Sequence, residues 1–262
     1  DVVPLTGENR ILTAYGLRTI KAAPIDGLRA LIEASGLMGE DIDDERVGFV
    51  LAPRLNACGR MGHARDAVRL LTDAAGAEAE TIARELARLN EQRQRTERRI
   101  LEQAAGMAEE LGMTGEDRRA IVLAHADWHP GVVGIVCSRL VERFGRPAVL
   151  LQDAGDGTLK GSARSIDGYS IHAGLTACAE HLERFGGHDA AAGMALAADR
   201  LELFRAALIE HANRHIAPAD LVPRLLVDVD ARLGELTRES VMAVRRLGPF
   251  GRGHRRPVLR LA

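Results

Sequence analysis

The chain of 262 residues is 46% hydrophobic and 27% charged with a formal net charge of -2, the balance of an ordinary globular protein with room for two domains or one large one. That near-neutral charge excludes bulk electrostatic attraction to a polyanion, and an aromatic content of 3% excludes extended base stacking, so a nucleic acid would have to be gripped locally through its phosphates. No apolar run approaches the roughly 20 residues of a membrane span, no signal-peptide order opens the chain, and Cys58, Cys137 and Cys178 form neither a C-x-x-C pair nor an even set; the expectation is a cytoplasmic protein without membrane contact and with cysteines as small buried residues.

Asp1-Val2-Val3-Pro4-Leu5 reads as the end of a buried strand and Pro257-Val258-Leu259-Arg260-Leu261 as another strand-like run, so the sequence is expected to be a piece of a longer protein. Residues 8–36 read as two helices ending at Gly36, and Asp43-Asp44 as the cap of a third that carries Val47, Val50 and Leu51. From Thr72-Asp73 onward, Ile82, Leu86, Leu89, Ile100, Ala104, Met107 and Leu111 keep a helical period without a proline, while arginines and glutamates crowd the other face; a helix this long and exposed is expected to join two lobes. Then follow a strand (120–125), a helix (132–144) closed by Gly145, two strands (148–152 and 158–163), a helix from Ser170 to Arg184, a short strand and a helix (201–215), which is α/β organisation. The last forty residues predict a strand, a helix over 237–247 and a Gly248-Pro249-Phe250-Gly251 turn, the opening of a third module.

Two stretches carry the chemistry. Gly161-Ser162-Ala163-Arg164-Ser165 and Phe185-Gly186-Gly187-His188, running on into Asp189-Ala190-Ala191-Ala192-Gly193, set bare backbone beside hydroxyl, guanidinium and imidazole donors, the means of bringing main-chain and side-chain N–H groups against a phosphate. The plain alternatives are a helix C-cap for Gly186-Gly187 and a solvated strand-end arginine for Arg164. His125, Asp127 and His129 would make a metal triad if they shared a strand face, but Asp127-Trp128-His129-Pro130-Gly131 is turn composition. Gly155-Asp156-Gly157-Thr158-Leu159-Lys160-Gly161-Ser162 lacks the residue order and following helix of an ATP-binding P-loop, and no Gly-x-Ser-x-Gly elbow occurs.

Five blocks stand in order along the chain: Pro53 to Arg60, Trp128 to Leu140, Lys160 to Ser165, Phe185 to His188, and Ala190 to Gly193. Together they closely resemble the motifs of the RecJ family, single-stranded-DNA-specific 5′ to 3′ exonucleases of the DHH phosphoesterase superfamily. The resemblance implies an α/β protein with the end of a DHH catalytic domain over residues 1–72, a long connecting helix over 73–114, a DHH-associated substrate-binding domain over 115–222 and the start of an OB-fold over 223–262. It implies that the parent protein uses two divalent ions, Mn2+ or Mg2+, to release 5′-mononucleotides in DNA repair and recombination. Asp1 would be a metal ligand, but the Asp-His-His triplet is absent, so this stretch alone is expected not to cut DNA.

By the same resemblance, Ser162 and Arg164 would bind the 5′-terminal phosphate. Gly186, Gly187 and the catalytic His188 would hold a phosphate near the scissile bond, and Arg54, Asn56 and Arg60 would line the path of the strand. Partners would be single-stranded DNA with a 5′ end and a single-stranded-DNA-binding protein, the enzyme itself being a monomer. His254 stands where the family more often has asparagine. The competing readings are a small oligonuclease or cyclic-dinucleotide phosphodiesterase of the superfamily, disfavoured by the long helix and the tail, and a non-catalytic scaffold or DNA-binding relative.

Overall fold

The computed structural model describes residues 3–22, 25–153, 155–222 and 224–261. In chain order its elements are α1 (Gly7–Thr19), α2 (Asp26–Ala34), α3 (Asp44–Arg46), α4 (Ala52–Met61), α5 (Arg65–Thr72), α6 (Gly76–Glu110), β1 (Ile121–His125), α7 (Pro130–Phe144), β2 (Ala148–Asp153), β3 (Thr158–Arg164), α8 (Ile171–Ala177), β4 (Arg184–His188), β5 (Ala191–Ala197), α9 (Leu201–His215), β6 (Val229–Ala231), α10 (Arg238–Arg245) and β7 (Leu259–Leu261). They form two compact units, one of residues up to Glu91 together with those from Leu225 onward, the other of Gln92–Arg224. The division falls inside α6, whose helical period runs without a proline.

The first unit is mainly helical. Asp43 caps α3 by accepting a hydrogen bond from the Arg46 N–H at 2.9 Å, and the helix runs through a π-helical turn at Val47–Leu51 into α4. Leu31, Ile32, Leu51, Cys58, Leu70 and Leu86 make its core. Gly27 lets α2 meet α5 closely, since a Cβ there would stand 1.6 Å from the Leu70 carbonyl oxygen. The C-terminal segment pairs β6 with β7 in parallel and is tied to the helices by Arg10, which donates to the Leu247 carbonyl at 2.6 Å, and by Arg256, ion-paired with Asp44 and Glu45.

The second unit holds the α/β sheet in the order β1-β2-β3-β5-β4. Ala148 to Leu151 of β2 are wholly buried, the mark of a strand covered on both faces. Only β1 and β2 are parallel; the other pairs are antiparallel. One face packs on α8 and α9, where Leu159, Ala163 and Met194 meet Leu175, Phe204 and Leu208. The opposite face of β2 and β3 is covered by α7, which starts at a His129 cap with Pro130 in its first turn and ends at Gly145 in the left-handed conformation.

Helix α8 corrects the expected helix from Ser170 to Arg184. It stops at Ala177, a 3₁₀ turn follows at Ala179–His181, and β4 begins at Arg184. The physical reason is Phe185, which packs back against the core from a strand, and the Gly186-Gly187 pair, which sustains an extended edge more readily than a helix. The C-cap alternative for these glycines fails with it. Helices α4 and α5 had no counterpart in the sequence reading.

Candidate nucleic-acid interface

Strand alternation decides what faces the site. Leu159 and Ala163 of β3 enter the core, so Lys160, Ser162 and Arg164 lie on the other face. In the antiparallel register Ser162 stands opposite Gly193, and Gly193 opposite Gly186; Arg164 stands opposite Ala191, and Ala191 opposite His188. Residues directly opposite share a face, so the two predicted stretches converge: Arg164 and His188 end one row across three strands, with the row Ser162-Gly193-Gly186 beside it. Neighbouring strands lie about 4.8 Å apart, which places the Arg164 and His188 backbones about 10 Å from each other.

Between them stands only the methyl of Ala191, and the adjacent row has a bare floor. A Cβ added at Gly186 would meet nothing within 4 Å, and one at Gly193 only the Gly161 carbonyl at 3.7 Å. Gly187 is different: its φ is +149° and a Cβ would lie 2.4 Å from the Ala191 carbonyl oxygen, so no other residue fits there without backbone movement. Helix α7 forms a wall, with Gly134 so close that a Cβ would sit 3.3 Å from Arg164 Nη2 and 3.4 Å from Ser162 Oγ. Behind it the Cys137 thiol donates to the Ser162 carbonyl at 3.1 Å; burial pushes that thiol up to about 12, leaving it inert.

Arg164 is half-buried. Its Nη1 donates to the Ala163 carbonyl at 2.8 Å, and among the described residues no carboxylate pairs with it, so most of its donor fork faces the groove. His188 is exposed at the end of the edge strand β4. The turn after it is fixed to the loop after β3: Ser165 N–H donates to the Ala190 carbonyl and Ile171 N–H to the Asp189 carbonyl, each at 3.0 Å, and the Ser170 hydroxyl donates to the Asp189 carboxylate. Those bonds hold His188 and Arg164 in register. Asp189 and Gly134 lie inside stretches that the sequence singles out but gives no role there, and Ser170 reads only as a helix start; nothing in their spacing marks these contacts.

In the first unit, the three remaining candidates lie on α4 but not together. Asn56 and Arg60, one turn apart, are both exposed. Arg54 is half-buried, and its Nη1 donates to the Val50 carbonyl at 2.6 Å; burial lowers its pKa while the Glu91 charge raises it. Asp1 lies outside the described residues. His125 and His129 each use Nδ1 to accept a local backbone N–H, from Asp127 and Gly131 respectively. Among the described residues no group of three His, Cys, Asp or Glu could hold a metal. The Gly155–Gly157 segment is a hairpin turn in which Asp156 accepts from the Thr158 N–H, a bond that lowers its pKa. No helix of the described residues is long and apolar enough to cross a membrane.

Residues 117–214 match the DHHA1 domain, the stretch that contains this groove. The chain is 42% identical over 252 residues to the single-stranded-DNA-specific exonuclease RecJ of Bacillus subtilis and 37% identical over 257 residues to that of Escherichia coli, each match covering 96% of this chain. The crystal structure of Thermus thermophilus RecJ in complex with Mn2+ superposes on 98% of this chain with a TM-score of 0.85 and 37% identity. Over nearly all of its length this chain is similar to RecJ exonucleases. It is an α/β chain that covers 32% of the Bacillus RecJ, 44% of the Escherichia RecJ and 37% of the Thermus structure. A further RecJ crystal structure, bound to manganese, matches 83% of this chain with a TM-score of 0.69 and 39% identity.

Proposed function

We propose that this chain is the substrate-gripping part of a RecJ exonuclease, which removes 5′-mononucleotides from single-stranded DNA in cytoplasmic repair and recombination. The observation that carries the reading is the row joining Arg164 to His188 through Ala191 across β3, β5 and β4, with the bare row Ser162-Gly193-Gly186 beside it. Arg164 and the Ser162 hydroxyl bind the terminal phosphate as charge-assisted donors. His188, held by the tied turn, donates to a phosphate oxygen nearer the scissile bond. Fixed separation of these groups measures off one nucleotide from the end. Arg54, Asn56 and Arg60 guide the strand farther along.

In this reading residues 1–72 close the catalytic domain, 73–114 connect, 115–222 hold substrate and 223–262 open an OB-fold. The whole enzyme is a monomer that uses Mn2+ or Mg2+ and works beside a single-stranded-DNA-binding protein. Hydrolysis belongs to the rest of the enzyme, with Asp1 as one metal ligand, and this chain alone binds without cutting.

The test is fluorescence anisotropy with a labelled single strand, with and without a 5′ phosphate. The phosphorylated strand binds tighter by about tenfold to a hundredfold, as expected for one charged hydrogen-bonded contact. Arg164→Ala removes the difference without changing the melting temperature. Equal binding of both strands by the unsubstituted chain contradicts the reading.

A further inference from the structure

The open sheet face continues past the row of Ser162. Lys160 stands opposite Ala195, and Ala195 opposite Arg184, so a third row crosses the same three strands. Two-residue periodicity puts Lys160 and Arg184 on the face of Ser162, Arg164, Gly186 and His188. Both cations are exposed, and with Gly186 and Gly193 they line a concavity of about 350 Å³, at the small end of ligand sites. Neither forms an ion pair among the described residues; the Lys160 charge is felt by Asp156 in the hairpin turn.

The chemistry of this end of the groove is that of a backbone reader. Its floor presents two glycines and an alanine, with no side-chain donor or acceptor to read a base edge. Phe185, the one aromatic residue of β4, packs against the core on the other face, so the floor offers no stacking platform. What remains is a cation at each side. The Lys160 and Arg164 rows are four residues apart, about 13 Å at the rise of an antiparallel strand, too far for one phosphate to serve both.

We propose that Lys160 and Arg184 form a second, sequence-independent phosphate subsite, which takes an internal phosphate of the strand whose end is held by Arg164 and Ser162. The assignment rests on the reading of the groove given above. It predicts a division of labour: Arg164 recognises the terminus, and the Lys160–Arg184 pair supplies salt-sensitive affinity for the strand body.

The experiment is a salt titration of binding to a 5′-phosphorylated oligothymidylate and its unphosphorylated twin, with the Lys160→Ala/Arg184→Ala double variant. Both side chains are exposed, and an unchanged melting temperature certifies the fold. Loss of one phosphate contact reduces the magnitude of the log affinity against log salt slope by about 0.7 and weakens binding several-fold at low salt. The ratio between the two oligonucleotides stays as in the unsubstituted chain. An unchanged slope and affinity overturns the second subsite while the groove reading stands, provided the unsubstituted chain still prefers the 5′ phosphate. Loss of the preference in the double variant also overturns it, because the pair would then serve the terminus. Absence of that preference in the unsubstituted chain sinks the groove reading itself.

Discussion

Arg146, two residues before β2, and Arg164, at the end of β3 and in register with Ala148, sit at one end of the same sheet in opposite circumstances. Arg146 is buried, and its Nη1 points at the carbonyls of Met113, Gly115 and Arg118 at 3.1, 2.9 and 2.7 Å, while Nε donates to Phe144. Burial lowers its pKa. Arg164 makes a single hydrogen bond, to its neighbour in the chain. Two arginines with no acidic partner thus stand differently: one closes a corner where several segments end, the other leaves most of its donors without a protein acceptor. What separates them is the count of carbonyls within reach, a property of tertiary structure.

Arg146→Ala breaks the sealed corner and carries the largest expected effect. It leaves four carbonyls without their donor and opens space beneath them, a loss of about 3 kcal/mol of unfolding free energy, read as a lower urea midpoint. An unchanged midpoint would mean that the corner is held by other contacts and that the contrast with Arg164 is one of exposure alone.

The adjacent glycines of β4 sharpen the comparison on the open side. Gly187→Ala forces a side chain into a conformation and a backbone contact that it cannot keep, at a cost of about 1–3 kcal/mol, and shifts the neighbouring imidazole, so stability and DNA affinity fall together. Gly186→Val adds its bulk where nothing is within 4 Å, in a strand that suits a β-branched residue. Its melting temperature holds while single-strand binding drops at least about tenfold, since the added methyl groups fill the floor that a phosphate backbone must approach. Normal binding by Gly186→Val would mean that the strand does not pass over this face.

Much of this was legible beforehand, for identifiable reasons. The β1–α7–β2–β3 succession and α6 follow from periodicity and from Gly145, because local pattern and tertiary role agree there. The fate of Phe185-Gly186-Gly187-His188 was not, since a glycine pair after a helix is compatible with a cap or an edge strand, and only the pairing with β5 chooses between them. Ser162, Arg164 and His188 could be singled out as candidates, but their alignment in rows depends on the register of three strands. Helix α4 was hidden because Pro53 and Gly59 look like breakers; Pro53 sits in the first turn, where its missing N–H is harmless.

The smallest effect lies on the sealed side of β3. The Tyr169 hydroxyl, just beyond Arg164 in the chain, is 2.9 Å from His211 Nδ1, and the His211 ring stacks on His215 at 4.0 Å. Burial first, then the charges of His215 and Arg214, lower the His211 pKa. A histidine whose folded pKa is depressed binds fewer protons folded than unfolded, so the contribution of this contact is complete above the ordinary histidine pKa of about 6.5 and is lost as pH falls through that value toward the folded one. Thermal melts of the DNA-free chain should therefore show a modest decline in melting temperature on acidification from pH 8, and His211→Phe should flatten it. Acid thereby loosens the anchor of the loop behind the groove. A decline of equal size in His211→Phe would move the pH sensitivity elsewhere in the unit.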